Sequence, residues 1–316
     1  MTIYTLEPSK ETLHGHTSRE LRPVFTIASG DTVRYRTLDS GWGLFDNPNP
    51  FEKPPKFSER DRERDPGHAL CGPIKIQGAK AGMTLELNLK TIRTGTWGWS
   101  AGGGYPSDLN TRLGLAESPE CIMRWSINPD LQIATNQFGQ ALRTRPFMGN
   151  LGMPPSETGS HSTFPPRFCG GNIDCKELVA GSRLYLPIPV DGGLFSIGDG
   201  HAAQGDGEVS GPALECPMEL VEVEFHLHSD LYLSNPRAYT PAGWITFGFH
   251  GDLNEAAMIA LDGMLGLLGE LLGIERKEAL TLATLVVDLR ITQLVNGVRG
   301  AHAILPHAVL DGVKLK

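Results

Sequence analysis

One glycine-rich stretch of this sequence concentrates side chains that can do metal-assisted or acid–base chemistry. It follows the apolar segment LFSI and reads GDGHAAQGDGE, from Gly198 to Glu208. Its glycines let the backbone turn sharply, so that several side chains can converge on one point. Asp199 and His201 are two residues apart and face the same way in an extended backbone, as ligands of one divalent ion must. We expect the acids of this stretch to lie at the end of a strand.

Three further segments carry candidates for the same chemistry. Asn172 and Asp174 lie in GGNIDCKEL, which can equally be an Asx turn that starts the next strand. His68 lies in GHALCGPI, although a single histidine in a loop is more often a surface residue than a ligand. Glu215 lies near the start of a strand, where it could be a ligand, a base or an exposed side chain. The residue types alone leave these alternatives open.

The glycine-rich stretch also has two less demanding interpretations. Asp-Gly pairs are common turn formers, so the stretch could be a solvated hairpin loop. It could instead be a structural calcium loop built from Asp199, Asp206 and Glu208, although its spacing does not match the helix-flanked EF-hand pattern. A cysteine nucleophile is disfavoured, because no cysteine lies in a predicted strand-to-helix turn beside a base.

The composition predicts a soluble chain built of strands and turns. Glycine (38) and proline (23) are frequent among the 316 residues, which is typical of short strands and tight turns. A net charge of -8 without any basic run argues against a nucleic-acid partner. The five cysteines form no CxxC pair, which fits a reduced compartment, and polar residues interrupt the longest apolar stretch, residues 253–272. With no secretory pattern at the N-terminus, we expect a cytoplasmic protein without a membrane span.

Alternating apolar and polar residues predict strands through the first two thirds of the chain. The clearest are MTLELNL, SRLYLPIPV and LVEVEFHLH. Residues 41–66 and 101–167 lack this alternation, so we expect two long loops that cover a site or a subunit contact, with disorder as the alternative for 41–66. Helical spacing then predicts a helix from an N-cap at Asp252 to a stop at Gly273, a second helix from near Glu275, and a final strand in VVDLRITQLV.

Four segments, taken in order, resemble the acetamidase/formamidase family and together cover most of the chain. They are HGHTSRELRPVFTIASGDTVRYRTLDSGWG, GHALCGPIKIQGAKAGMTLEL, GNIDCKELVAGSRLYLPIPVDGGLFSIGDGHAAQGDGEVSGPALE and VVDLRITQLVNGVRGAHAILP. GDGHAAQGDGE is the most specific piece, and GNID precedes it in the expected order. One departure is Cys71, where a hydroxyl residue is expected before Gly-Pro. The two long loops match poorly.

The resemblance implies a mainly β fold, namely a jelly-roll-like β-sandwich with a small barrel-like lobe and a C-terminal α/β element. We expect the core that carries the site over residues 1–240 and the α/β element, packed on that core, over residues 241–316. The resemblance also implies hydrolysis of the carbon–nitrogen bond of small linear amides such as formamide or acetamide. It further implies a homo-oligomer, a dimer or higher, and a divalent metal, with zinc expected and calcium as the alternative.

Carried over residue by residue, the resemblance implies a site. The expected metal ligands are His68, Asp174, Asp199, His201 and Glu215. We expect Glu208 to act as the acid/base, with Asp206 and Gln204 as further catalytic residues. Asn172 is expected to orient the amide of the substrate together with Gln204.

Two rival functions stay open at this point. A protein with the same layout could act on another amide, such as a lactam or a longer carboxamide, and the two long loops would decide that choice. A non-catalytic β-sandwich that binds a carbohydrate or a protein around structural calcium would also account for an acidic loop. Metal analysis separates these functions, since a transition metal favours chemistry.

Overall fold

The structure, a computed structural model, describes residues 1–44, 49, 52 and 54–310. Within these residues the protein is mainly β, with two large sheets and helices towards its C-terminal end. Parts of the predicted loop 41–66 and the last six residues of the predicted C-terminal element lie outside the described residues.

The described strands, in chain order, are β1 (Ile3–Leu6), β2 (Leu13–His14), β3 (Thr26–Ile27), β4 (Thr32–Thr37), β5 (Leu70–Ile76), β6 (Thr84–Thr94), β7 (Trp97–Gly102), β8 (Cys121–Asn128), β9 (Ile133–Asn136), β10 (Ala141–Arg143), β11 (Phe147–Gly152), β12 (Gly170–Asn172), β13 (Arg183–Pro187), β14 (Phe195–Ala203), β15 (Leu214–Glu215), β16 (Met218–His228), β17 (Arg237–Thr240), β18 (Gly243–His250), β19 (Asp288–Gln293) and β20 (Arg299–Pro306). The described helices are α1 (Asp108–Arg112), α2 (Leu253–Leu272), α3 (Arg276–Val286) and a 3-10 helix at His307–Leu310.

The first sheet has nine strands in the order β1-β4-β16-β6-β13-β17-β18-β20-β19. The alternating segments of the sequence lie in it as predicted, in β6, β13 and β16. Leu85, Leu87 and Leu89 of β6 are fully buried, as expected for one face of a strand that lies on a core. Alternation therefore predicts the presence of these strands and their apolar core positions.

The second sheet has eleven strands. Eight follow the order β10-β9-β8-β7-β15-β14-β11-β12, and β5 pairs with β14 and carries β2 and β3. One hydrophobic core contains side chains from both sheets. In it, Phe195 of β14 packs edge-on against Phe225 of β16, with ring centroids 5.3 Å apart. The two sheets therefore share a core.

The prediction of a long loop over residues 101–167 is wrong. This segment contains α1 and the strands β8 to β11 of the second sheet. All six residues of β11, FMGNLG, are buried. A strand that is buried on both faces loses the alternation that marks a half-exposed strand, and its glycines resemble loop residues.

The expectation that the acids of the glycine-rich stretch follow a strand is also corrected for Asp199 and His201. Both residues lie inside β14, which continues to Ala203. The glycine between them is required by close packing: a Cβ on Gly200 would lie 2.7 Å from the Met218 side chain and 2.8 Å from a backbone oxygen. Gly200 therefore marks close neighbours rather than a turn.

The C-terminal elements follow the sequence closely. Asp252 caps α2 by accepting a hydrogen bond from the backbone N–H of Asn254 at 2.7 Å, and Gly273 ends the helix in the left-handed conformation (φ 66°). The strands β18, β20 and β19 extend the first sheet, and α2 packs its apolar side on β18 and β20. The division of the chain at residue 240 stays a prediction.

No single helix among the described residues is long and apolar enough to cross a membrane. Only α2 and α3 taken together pass a test of length and composition, and they are bent by 105° relative to each other.

The contact between α2 and the sheet depends on Gly248. A Cβ at this position would overlap the backbone carbonyl oxygen of Ala256 in α2. We expect Gly248→Ala to lower the free energy of unfolding by about 1–3 kcal/mol, as overpacking does. Gly266→Ala is the matched control, because no atom lies within 4 Å of its added Cβ and alanine favours a helix by about 0.5–1 kcal/mol. Chemical denaturation measures both, and equal stability of the two variants would contradict the close contact.

Candidate active site

Three adjacent strands of the second sheet build the centre of the site. The register pairs His201 of β14 with Glu215 of β15 on one side and with Phe147 of β11 on the other. His201 Nε2 lies 3.2 Å from Asp199 Oδ1 and 3.2 Å from Glu215 Oε1. The edge of the Phe147 ring supports the imidazole, with centroids 5.0 Å apart. One imidazole thus lies between two carboxylates inside the sheet.

Two loop carboxylates complete this cluster. Asp174 follows β12, and Glu208 lies in the turn between β14 and β15. Ligand atoms of Asp174, Asp199 and His201 lie within 4.8 Å of one another, and so do those of His201, Glu208 and Glu215. All five side chains are buried. We call these five residues the acidic cluster.

The backbone is strained at three residues of the acidic cluster. Asp174, Asp199 and Glu208 have φ angles of 53°, 60° and 45°, in the left-handed region that non-glycine residues seldom adopt. Such conformations persist where the surroundings over-determine them, and they concentrate at functional sites. The strain turns these carboxylates towards His201 in a way that regular strands would not.

Gly149 of β11 makes room for the cluster. A Cβ at this position would lie 2.6 Å from both Asp174 Oδ1 and Asp199 Oδ2, and 2.8 Å from His201 Cε1. Any side chain at this position would therefore displace the groups that converge there.

Burial dominates the electrostatics of three of the four carboxyl groups. It raises the pKa of Asp174 to about 8, with a further increase from the charge of Asp199. It raises the pKa of Glu208 well above its usual value, helped by the charge of Asp174, and it also raises the pKa of Glu215. Four carboxylates cannot all stay ionised here without additional positive charge.

The pKa values of Asp199 and His201 are instead shifted so that both charged forms are favoured. Burial favours the neutral form of Asp199, but the nearby His201 and His68 outweigh burial and lower the pKa of Asp199. Burial likewise disfavours charge on His201, but Glu215 and Asp199 outweigh it and raise the pKa of His201 well above its usual value. Each carboxylate near Nε2 thus favours positive charge at this point.

The acidic cluster fits a cation. Three of its buried carboxylate oxygens have no hydrogen-bond partner within the part of the chain that the structure describes: Asp174 Oδ1, Glu208 Oε2 and Glu215 Oε2. Buried polar atoms normally have partners, so unpaired acceptors that face one point indicate a ligand of positive charge. The buried His, Asp and Glu side chains could therefore hold a metal ion.

Gln204 sets the orientation of the imidazole. Its Nε2 donates to the backbone oxygen of Asp174 at 2.7 Å, which leaves its Oε1 facing His201 Nδ1 at 3.1 Å. Since an amide oxygen only accepts, His201 Nδ1 must carry a proton, and the lone pair of a neutral ring then lies on Nε2 among the carboxylates. Gln204 is therefore placed to position the imidazole, and its expected roles in catalysis and in orienting the amide of the substrate stay predictions.

A cavity of about 780 Å³ opens above the acidic cluster. Asp199, Glu208 and Glu215 line it, and both His68 and Asn172 lie on its wall as candidates predicted from the sequence. His68 Nδ1 lies 3.1 Å from Thr163 Oγ1, and His68 is in neither of the two close groups of ligand atoms. Its role as a ligand stays a prediction.

Asn172 is placed so that it can contact a ligand in the cavity. Its Oδ1 accepts a hydrogen bond from Asn150 at 3.3 Å, and the described residues provide no partner for its Nδ2. Its predicted role in orienting an amide stays a prediction.

Asp206 is not brought into the site. Its side chain is exposed and lies 3.1 Å from Lys176 Nζ in an ion pair. It is two residues from Glu208, but the turn points the two carboxylates in different directions, so the catalytic role predicted for Asp206 has no geometric support. The thiols are also unsuited to catalysis: burial raises the pKa of Cys71, Cys169 and Cys175 to about 12.

The sequence prediction missed Asn296. Its Nδ2 donates to Asp174 Oδ2 at 2.6 Å, and the residue lines the cavity. It lies in VVDLRITQLVNGVRG, one of the segments with family resemblance, and that resemblance was the available signal. Since 122 positions separate the two residues, no local pattern could have paired them.

Comparisons with known proteins find similar amidases. The model of the acetamidase/formamidase family matches residues 158–311. An acetamidase from Mycolicibacterium smegmatis is 30% identical over 207 residues, 48% of this chain and 51% of that protein. A formamidase from Methylophilus methylotrophus is 25% identical over 248 residues, 63% of this chain and 60% of that protein. The chain thus spans between half and three fifths of the length of these two relatives.

The fold agrees over almost the whole chain. The crystal structure of a predicted acetamidase/formamidase from the thermophile Thermoanaerobacter tengcongensis superposes with a TM-score of 0.84 at 26% sequence identity, covering 98% of each chain. The span that matches the family model contains all five residues of the acidic cluster. The resemblance predicted from the sequence is confirmed: residues 158–311 match the acetamidase/formamidase family, and the chain has the fold of a predicted acetamidase/formamidase over almost its whole length.

Proposed function

We propose that this protein hydrolyses the carbon–nitrogen bond of linear amides and releases a carboxylate and ammonia. The observation that carries the proposal is the acidic cluster, in which a buried imidazole and unpaired carboxylate oxygens meet on the floor of a cavity. The similarity to acetamidases and formamidases supports this reaction class. The same cluster without the cavity would suit a structural metal, and the cavity gives a substrate access to it.

We propose that Asp174, Asp199, His201 and Glu215 hold a divalent metal, with zinc favoured. An imidazole nitrogen among carboxylate oxygens suits zinc and its neighbours in the transition series, whereas calcium takes oxygen ligands. When bound, such a metal polarises a carbonyl and makes water a better nucleophile near neutral pH. The central imidazole argues against the rival function, a binding module built around structural calcium.

Glu208 is suited to proton transfer. It lines the cavity, it is buried, and burial together with the charge of Asp174 raises its pKa well above its usual value. A carboxyl group of raised pKa can hold a proton near neutral pH and deliver it to a departing amine, which is a poor leaving group until it is protonated. We therefore propose Glu208 as the acid/base and Asn172 as a donor that orients the amide.

We further propose that the protein works in the cytoplasm as a homo-oligomer with a jelly-roll-like β-sandwich and a barrel-like lobe. All five cysteines are free, and four of them are buried. Exposed apolar side chains on the C-terminal helices, Met258, Leu280 and Leu285, could contribute to a subunit contact.

Removal of the metal tests the proposed chemistry. Treatment with a chelator should abolish the release of ammonia from formamide or acetamide, and a divalent transition metal should restore it. Elemental analysis of the untreated protein should find about one equivalent or more of a transition metal. Calcium as the only metal, with undiminished turnover after chelation, would contradict the proposed function.

Substitutions at Glu208 and His201 separate proton transfer from metal binding. Glu208→Gln should keep the bound metal and lower kcat by about 10²–10⁴-fold, which is the usual contribution of a general acid/base. His201→Ala should lose both metal and turnover. Asp206→Asn is the matched comparison in the same turn and should turn over nearly as fast as the unmodified protein, because its carboxylate is exposed and paired with Lys176. A near-normal rate for Glu208→Gln would contradict the role of Glu208 as the acid/base.

A substitution at Gly149 tests whether the space beside the acidic cluster is needed for metal binding. Gly149→Ala should weaken the binding of zinc by tenfold or more, since its Cβ would push Asp174 and Asp199 apart from His201. Gly205→Ala, in the glycine-rich stretch, has no atom within 4 Å of its added Cβ and is the control. Calorimetric titration of zinc into both metal-free variants, alongside thermal melts, gives the comparison. Equal affinities would show that the metal lies elsewhere.

A further inference from the structure

The cavity is much larger than the smallest amides. Its volume is about 780 Å³, within the range of about 300–1,000 Å³ that accommodates drug-sized ligands. Formamide fills roughly the space of two waters, on the order of 60 Å³ at about 30 Å³ per water. A substrate of that size would leave most of the cavity filled with water, so the dimensions favour an amide with a longer acyl part.

The cavity is lined by charges of both signs. Asp199, Glu208 and Glu215 of the acidic cluster form what we call its floor, and Lys56, Arg60 and Arg62, all from the segment that precedes His68, lie on what we call its wall. Glu120 is the one carboxylate among the described lining residues outside the floor. A ligand that fills the cavity can therefore contact both the acidic cluster and these cations.

Arg60 is held in place before any ligand arrives. Its guanidinium lies over the Trp42 ring at 4.7 Å, Nε donates to the backbone oxygen of Asp65 at 2.8 Å, and Nη2 donates to that of Gly67 at 3.2 Å. Trp42 Nε1 also donates to the oxygen of Gly67, at 2.8 Å. A guanidinium has five N–H donors, so three are left without a partner among the described contacts.

Arg62 provides a second cation that is easier to alter. Its side chain is exposed on the cavity wall, and no ion pair or hydrogen bond of this side chain is found among the described residues. Its replacement should therefore change the charge of the wall without disturbing the packing of the fold.

We propose that the preferred substrate is a linear amide whose acyl chain ends in an anionic group, with the amide at the acidic cluster and the anion held by Arg60 and Arg62. This proposal rests on the proposed amidase function and specifies its substrate class. Guanidinium groups recognise carboxylates through paired N–H donors, and a pre-oriented guanidinium loses less entropy on binding than a mobile one. In this proposal Arg60 and Arg62 select the substrate by its charge, while hydrolysis takes place at the acidic cluster.

The test compares three amides of similar length that differ in terminal charge. They are succinamate, which is anionic, 4-methylpentanamide, which is its uncharged shape match, and β-alaninamide, which is cationic. Ammonia release from the metal-loaded protein gives kcat/KM for each amide, with formamide and acetamide measured alongside. We expect succinamate to be preferred over 4-methylpentanamide by about tenfold and β-alaninamide to be the poorest. The preference should shrink at high salt, because solvent-exposed charges are screened.

Arginine variants assign the preference to the wall. Arg62→Gln should lower the ratio of kcat/KM for succinamate over 4-methylpentanamide by about two- to fivefold, the range expected for an exposed charged contact. Arg60→Gln should lower the same ratio further. Arg22→Gln is the matched control, because this exposed arginine lies on none of the described cavities and should leave the ratio unchanged. Thermal melts verify folding, and Arg62→Gln keeps the test decisive if Arg60→Gln fails to fold.

The outcomes are distinguishable. Hydrolysis of formamide or acetamide with equal rates for succinamate and its uncharged match would overturn the anionic substrate and leave the amidase function standing. A preference that survives in both arginine variants would also overturn it. Hydrolysis of none of the amides by metal-loaded protein would overturn the amidase function, and the substrate class with it.

Discussion

The site depends on one electrostatic constraint, the burial of four carboxyl groups around a single imidazole. Burial, together with the charge of a neighbouring carboxylate, raises the pKa of Asp174 and of Glu208 and so favours their protonated forms. His201 responds in the opposite sense and gains positive charge. A metal ion bound among these groups would supply the charge that the cluster lacks and would allow its carboxylates to ionise together. Metal binding and the protonation of this site are therefore coupled.

The architecture meets this constraint with contributions from distant parts of the chain. The centre of the second sheet provides a rigid frame, in which β14 and β15 fix His201 between its two carboxylate neighbours. The end of β19 then docks on the turn that carries Glu208, since Gly207 donates to the backbone oxygen of Thr292 and Asn296 holds Asp174. The C-terminal segment is thus part of the site as well as of the first sheet.

Local patterns predicted much of the fold. Alternation located β6, β13 and β16, and capping residues placed both ends of α2, because these signals arise from interactions within a few residues. The same approach misread 101–167 as a loop, since the fully buried strand β11 has no alternation to detect. It also kept Asp206 beside Glu208 as a catalytic candidate, because the local sequence does not reveal that Glu208 is buried while Asp206 pairs with Lys176. Asn296 could be assigned to the site only from the three-dimensional structure, because its partner Asp174 is 122 positions away in the sequence.

The strained backbone of the acidic cluster connects its chemistry to its stability. Left-handed conformations at Asp174, Asp199 and Glu208 cost on the order of 1–3 kcal/mol each, and repulsion among their carboxylates adds to that cost. A cation that binds the folded chain but not the unfolded one returns part of this free energy through mass action. Substitutions in the acidic cluster are consequently expected to disrupt the site, whereas the exposed position of Arg62 carries no such strain. Substrate choice can therefore vary at the wall while the reaction stays fixed at the floor.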